Sequence, residues 1–245
     1  MMKPTDELEG LVLSVIEYKE KDGIVKLLTK DKVVSVLAKG IQKSSSKNRR
    51  LCLAFTKVRL YVEYKENGLS LLYHGEVVAS YHHIMDSLVS SSVCFCLAQI
   101  LEKSTITKDL YDVFDQCLEA YHKNLEKAHT LACFVLREVL IQEGIAPFVD
   151  GCVLCGRMDH LEALSDMDGG FLCSTCNHGK ILTRSKNELI QIRSLFRVKK
   201  EQLDLFCSMY SMDVVDVVYW ASWYEKYMHL SIASLSFLSS VQALK

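Results

Sequence analysis

The sequence predicts an α+β protein: a small N-terminal β-barrel, then an all-helical remainder into which a compact cysteine knuckle is inserted. Three observations predict it. Five short runs rich in Val, Leu, Ile and Tyr fall within residues 10–78. After about residue 80 the apolar spacing changes from alternation to every third or fourth position. Four cysteines stand as two Cys-x-x-Cys pairs among glycines in the second half.

The strand candidates are residues 10–18, 24–29, 33–38, 56–64 and 69–78, punctuated by Lys21-Asp22-Gly23, Asp31-Lys32 and Glu66-Asn67-Gly68. Asn67-Gly68 between two apolar runs is the strongest hairpin signal in the chain. In the fourth run Val58, Leu60, Val62 and Tyr64 alternate with Arg59, Tyr61 and Glu63, one buried face against one wet face. Five strands in about 70 residues suit a closed or nearly closed barrel of the OB-fold or SH3-like kind.

Residues 83–103, 109–124 and 126–143 lack Pro and Gly and carry helical spacing, with Leu131, Ala132, Phe134, Val135 and Val139 marking an apolar stripe in the third. Gly144 and Pro147 stop that helix. Helices are expected again over 186–207 and 212–238, the last holding Trp220, Trp223, Tyr224 and Tyr227 as packed core aromatics. The expected division is residues 1–80 as barrel and 81–245 as helical domain, with the knuckle at 150–180.

Cys152, Cys155, Cys173 and Cys176 form C-x2-C-x17-C-x2-C, a spacing read as a four-thiolate zinc site. Two residues between cysteines permit a tight turn whose thiols converge on one ion about 2.3 Å away, and two such turns complete a tetrahedron. Gly156, Gly169 and Gly170 supply backbone freedom beside those turns. His160 and His178 stand near as alternative ligands, but four thiolates fill the shell, which makes the expected zinc structural, one per chain. The same quartet also allows free thiols, a redox pair or an iron–sulfur cluster. The other cysteines (52, 94, 96, 117, 133 and 207) fall mostly in apolar periodic segments and read as small core residues.

Hydrophobic residues make up 49% and charged residues 24%, which excludes a disordered chain, and only 2 prolines exclude an extended Pro-rich one. No run of about 18 uncharged apolar residues is present, so no membrane-spanning helix is expected. Acids stand in the first ten residues where a signal peptide needs an apolar run, and with 10 cysteines this points to a reducing cytoplasmic compartment. The net charge of −1 conceals a segregation: residues 19–65 hold thirteen Lys/Arg against four acids, +9, leaving −10 elsewhere. The densest part, residues 39–50, carries Lys39, Lys43, Lys47, Arg49 and Arg50 with no acid, among Gly, Ser and Asn. Such a mobile polar loop suits phosphates, because its cations adjust to a backbone and its hydroxyls and N–H groups add donors. Tyr18 and Tyr61 are candidates to stack on unpaired bases.

No phosphate-cradling Walker loop, G-x-G-x-x-G, H-E-x-x-H or G-x-S-x-G occurs, and no carboxylate cluster suits two metals. His82, His83 and Asp86 read as exposed or capping residues. A non-enzymatic protein is expected, one that binds a phosphate-bearing polyanion first. A zinc-ribbon adaptor touching RNA or protein is the alternative, and a metal-dependent nuclease a weaker third.

The chain resembles the RecO family of bacterial recombination mediators. The matching pieces are Gly10-Leu11-Val12-Leu13, then Asp22-Gly23-Ile24-Val25-Lys26-Leu27-Leu28-Thr29. They continue with Val36-Leu37-Ala38-Lys39-Gly40-Ile41-Gln42-Lys43-Ser44 and the cysteine quartet in the second half. The resemblance covers essentially the whole chain and lies in order and spacing. It implies an OB-fold joined to a helical zinc-bearing domain without enzymatic turnover. It further implies binding of single- and double-stranded DNA and annealing of complementary strands. The implied protein partners are RecR, the C-terminal tail of single-strand-binding protein and, indirectly, RecA, at the bacterial nucleoid. The family's loop cations fall on Lys39 and Lys43; Lys47, Arg49 and Arg50 are added from charge alone. Two positions depart from the family pattern: Ala54-Phe55 stands where Pro-Phe is usual, and Gln42 where a cation is common.

Overall fold

The computed structural model describes residues 5–43 and 45–242; Ser44, part of the quoted resemblance, lies outside them. The chain forms two compact units, Met1–Ala128 with Ile232–Lys245, and His129–Ser231.

The first unit opens with five strands, β1 (Asp6–Tyr18), β2 (Asp22–Leu28), β3 (Val33–Ala38), β4 (Thr56–Glu63) and β5 (Ser70–Ser80). They close into a barrel in the order β1-β2-β3-β5-β4. All pairings are antiparallel except β3 with β5, where Val36 meets Ser70 and Leu37 meets Leu71 in parallel. The barrel is OB-like, which decides between the two expected kinds. Closure depends on β1, whose first half (Asp6 to Leu11) pairs with β4 and whose second half (Leu11 to Tyr18) pairs with β2. A bulge between Val12 and Ser14 turns the strand between its partners. Gly10 sits at that corner because a Cβ there would fall 2.3 Å from the Leu28 carbonyl oxygen.

The alternation expected in β4 is present: Val58, Leu60 and Val62 are wholly buried while Arg59, Tyr61 and Glu63 are only half covered. Tyr64 packs against the barrel core and Tyr61 lies on the outer face, its ring 4.6 Å from that of His74. The β4–β5 hairpin forms, but not through a two-residue turn. Its connection runs over residues 64–69, Gly68 is not among the positive-φ glycines, and the Lys65 N–H donates to Ser70 Oγ at 3.1 Å. β1 also begins earlier than expected, at Asp6, with Glu7 and Glu9 on the outer face beside Arg59.

A 3-10 turn, His82–Asp86, follows, then α1 (Leu88–Leu101) and α2 (Lys108–His122), capped by Ser87 and Thr107. The last helix, α8 (Ala233–Gln242), rejoins this unit against α1, where Gln99 Oε1 accepts from Ser234 N–H (3.0 Å) and Ser234 Oγ (2.6 Å). His83 Nδ1 and Asp86 Oδ2 lie 2.8 Å apart, both side chains exposed.

The second unit holds α3 (Ala128–Gln142) from its second residue on, a hairpin of β6 (Leu161–Ser165) and β7 (Gly170–Cys173), then α4 (Ser174–Asn177), α5 (Lys186–Arg197), α6 (Leu203–Met209) and α7 (Val214–Met228). The helix expected over 186–207 breaks at Val198, which is extended, and the next residues form a 3-10 turn. The helix expected over 212–238 ends at His229, whose φ of +53° takes the left-handed terminating conformation. Trp220, Trp223 and Tyr224 are buried as core aromatics, and Trp223 Nε1 donates to the Ile145 carbonyl at 2.8 Å.

Gly10→Ala should lower the unfolding free energy by about 1–3 kcal/mol in urea denaturation, the usual cost of forcing atoms into a filled site. An unchanged midpoint would show that the corner of β1 is slack.

Candidate metal centre and nucleic-acid interface

The metal centre starts from two turns. In the first, Gly156 takes φ of +75° and its N–H donates to the Cys152 carbonyl at 2.8 Å, folding residues 152–156 tightly. In the second, Cys173 ends β7 and caps α4, and His178 closes it with φ of +47°. The hairpin brings the turns together: Val153 N–H donates to the Phe171 carbonyl at 2.8 Å and Ser174 N–H to the His160 carbonyl at 3.0 Å. Gly170 must lack a side chain, since a Cβ would lie 2.5 Å from the Phe148 carbonyl oxygen.

The four expected thiols therefore converge, all sulfurs lying within 4.8 Å of one another and those of Cys155 and Cys173 3.7 Å apart. Sulfurs about 2.3 Å from a central ion have tetrahedral edges of about 3.8 Å, whereas a disulfide needs about 2.05 Å. The quartet fits a metal ion and not a pair of disulfides. Burial opposes ionisation of Cys152, but backbone hydrogen bonds from Cys173, Cys155 and Leu154 outweigh it and draw the thiol down to about 6. Cys176 is pushed up to about 12, chiefly by side-chain hydrogen bonds with Cys155 and Cys152. A cation bound by the quartet would displace protons from these thiols, so its binding would depend on pH. His160 and His178 are exposed, outside the cluster. Of the remaining cysteines, five are buried and Cys207 is half-buried.

Asn177 is a residue that spacing does not single out. Fully buried beside Cys176, its Nδ2 donates to Glu162 Oε1 (2.9 Å) and the Ile181 carbonyl (3.0 Å), while its Oδ1 accepts from Ile181 N–H (2.9 Å). The only sequence signal for it is adjacency to a ligand.

The second site is the connection between β3 and β4. The five expected cations, Lys39, Lys43, Lys47, Arg49 and Arg50, are all exposed. Beneath them Ile41, Leu51 and Cys52 enter the barrel core, the last two from a 3-10 turn, Arg49–Cys52. Its described residues are tied by local turns and by one side chain. Turns close at Lys43 N–H to the Gly40 carbonyl (3.2 Å), Ser46 N–H to the Lys43 carbonyl (3.0 Å) and Leu51 N–H to the Asn48 carbonyl (3.0 Å). Asn48 Nδ2 donates to the Tyr73 carbonyl on β5 at 3.2 Å.

Among the described residues none of these five cations has a carboxylate partner. The cations of the barrel wall differ. Arg59 stands 3.1 Å from Glu7, 3.0 Å from Glu9 and 2.7 Å from Glu76, and Lys57 stands 2.7 Å from Asp115. Arg59 and Lys57 are thus neutralised where the five cations of the connection are not. Tyr18 is 37% exposed at the end of β1, with the Lys19 ammonium 5.2 Å from its ring centre.

Comparison with known proteins agrees with this architecture. Residues 2–81 match the family profile "Recombination protein O N terminal" and residues 87–184 match "Recombination protein O C terminal". The DNA repair protein RecO of Exiguobacterium sibiricum is 28% identical over 201 residues, 78% of this chain and 80% of that one. That of Shouchella clausii is 32% identical over 184 residues, 73% and 70% of the two chains. That of Bacillus pumilus is 28% identical over 173 residues, 69% and 67%. The chain belongs to the RecO family, whose members serve DNA repair and recombination. Among the described residues no helix is long and apolar enough to cross a membrane.

Asn177→Ala strands the Ile181 N–H and should lower the stability of the knuckle-bearing unit by about 1–3 kcal/mol, read by urea unfolding. An unaltered transition would mean that the buried amide carries no such duty.

Proposed function

We propose that this chain is a recombination mediator that binds single- and double-stranded DNA and anneals complementary strands without catalysing a covalent step. The observation that carries the reading is the row of exposed cations, Lys39, Lys43, Lys47, Arg49 and Arg50, with no carboxylate partner among the described residues. Free cations displace condensed counterions from a phosphate backbone, which favours binding whatever the base sequence. Two strands held on one cationic surface repel each other less and meet more often. The outer aromatics Tyr18 and Tyr61 add stacking for unpaired bases.

On this reading the barrel, residues 1–80, is the DNA-binding module, and residues 81–245 form a helical module with the knuckle at 150–180. The family profiles, which end at 81 and resume at 87, support that division. Family membership supports RecR, the acidic tail of single-strand-binding protein and, indirectly, RecA as partners, and work at the nucleoid in the cytoplasm.

The cysteine quartet is proposed to hold one structural Zn2+. Four thiolates would fill its tetrahedron and leave no position for a substrate. The apolar cluster around the turns comprises only Cys152, Ala163, Leu172 and Cys173, with four flanking side chains. Metal binding of the order of 10 kcal/mol would exceed what so small a core can contribute.

Replacing Lys39 and Lys43 together by Ala should weaken binding to a single-stranded oligonucleotide. It should also flatten the log K against log salt plot by about 1.4, two contacts at about 0.7 each. An unchanged slope would remove both residues from the interface. A strand-annealing assay at two salt concentrations, with and without single-strand-binding protein, tests the activity itself. Absence of annealing, with equal binding to RNA or protein, would favour the zinc-ribbon adaptor.

Elemental analysis of the purified protein should find one zinc per chain. Stripping that zinc with a chelator should unfold the knuckle while leaving the salt slope of DNA binding unaltered. A metal-free protein with a folded knuckle would contradict the assignment.

A further inference from the structure

The β1–β2 hairpin turns through Lys19 to Lys21, with Lys19 at φ of +56°. Three contacts fasten the first turn of the basic connection to it. Gly40 N–H donates to Asp22 Oδ1 at 2.8 Å, and Gln42 N–H donates to the Lys21 carbonyl at 3.1 Å. Between them Ile41 is buried in the barrel core, and a Cβ on Gly23 would lie 2.5 Å from its Cδ1. Gly40 takes φ of +68°, which lets its N–H face the hairpin while the chain turns. Lys19 and Lys21 are exposed, as Lys39 and Lys43 are, and none of the four has a carboxylate partner among the described residues. Asp22 therefore sits between two pairs of lysines without forming an ion pair to any of them; its carboxylate is spent on a backbone N–H.

We propose that Asp22 is a positioning residue for DNA binding, fixing residues 39–43 against the hairpin so that Lys19 and Lys21 join Lys39 and Lys43 in one phosphate-contacting rim. The proposal rests on the DNA-binding reading above and adds two contacts and their organiser to it. Its sign is diagnostic. Were charge alone decisive, deleting an acid from a cationic rim would tighten binding to a polyanion. If positioning decides, deletion loosens it, because cations on an unfastened loop must be ordered on binding. Asn keeps the side-chain oxygen that accepts from Gly40 and removes only the charge.

The experiment compares wild type, Asp22→Ala, Asp22→Asn and the double variant Lys19→Ala/Lys21→Ala. One readout, made without DNA, is amide hydrogen exchange of residues 39–43. The other is the salt dependence of binding to a single-stranded oligonucleotide. D22A should lose protection at Gly40 and Gln42, bind about tenfold more weakly and lose about 0.7–1.4 from the salt slope, one or two contacts. D22N should keep its protection and bind at least as tightly as wild type. The lysine pair variant should keep its protection and lose about 1.4 from the slope.

Protection retained in D22A, or protection lost with affinity and slope unchanged, would overturn the positioning role. Equal weakening in D22N and D22A would overturn the acceptor explanation. An unchanged slope in the lysine variant would remove the hairpin from the rim. A wild type without salt-dependent binding would overturn the DNA reading and this inference with it. That outcome is recognisable because the exchange readout needs no DNA.

Discussion

The structure depends on one arrangement in the β3–β4 connection: its apolar side chains go into the barrel and its cations stay in water without partners. Ile41, Leu51 and Cys52 are buried in the same core as Val12, Val25, Leu27 and Leu60. At about 25 cal/mol per Å² of buried apolar surface, three such anchors contribute a few kcal/mol toward holding an otherwise polar segment. Nothing comparable holds Lys39, Lys43, Lys47, Arg49 or Arg50, whose charged heads gain more from water than from any residue of the fold. The described part of the segment is therefore anchored by its minority of apolar residues, and its proposed function lies with its polar majority.

That separation explains why the net charge of −1 says little about partners. The outer barrel wall spends Arg59 on three carboxylates, and exposed pairs of this kind add at most about 1 kcal/mol each. What they achieve is to silence a cation that would otherwise compete for phosphates. The rim around residues 39–50 has no such silencing, and a polyanion meets it with its counterions as the only competitor. On the proposed reading, binding built this way would be indifferent to sequence, as a mediator acting wherever strands have separated would require.

Much of this was legible beforehand, for definite reasons. The phase of β4 followed from Val58, Leu60 and Val62, since a half-buried strand has a period of two residues. The cysteine quartet followed from spacing alone, because converging thiols need tight turns wherever they occur. What escaped was long-range or unmarked. His229 ends a helix in a left-handed conformation that usually advertises itself with Gly, and Val198 breaks another with no Pro nearby. Asn67-Gly68 promised a two-residue turn, yet the connection spans six residues. The bond from Gly40 to Asp22 links residues 18 apart, and no periodicity records it. Asn177 was invisible in part for the same reason, since Glu162 lies 15 residues away on the hairpin, while its bonds to Ile181, four residues on, follow no periodic pattern.

The most direct test is an amide NMR titration of the whole protein with a short single-stranded oligonucleotide, run at low salt and repeated at high salt. The account predicts shifts gathered at residues 39–50 and at the β1–β2 hairpin, fading together as salt rises. Shifts confined to residues 129–231, with 39–50 unmoved, would contradict it.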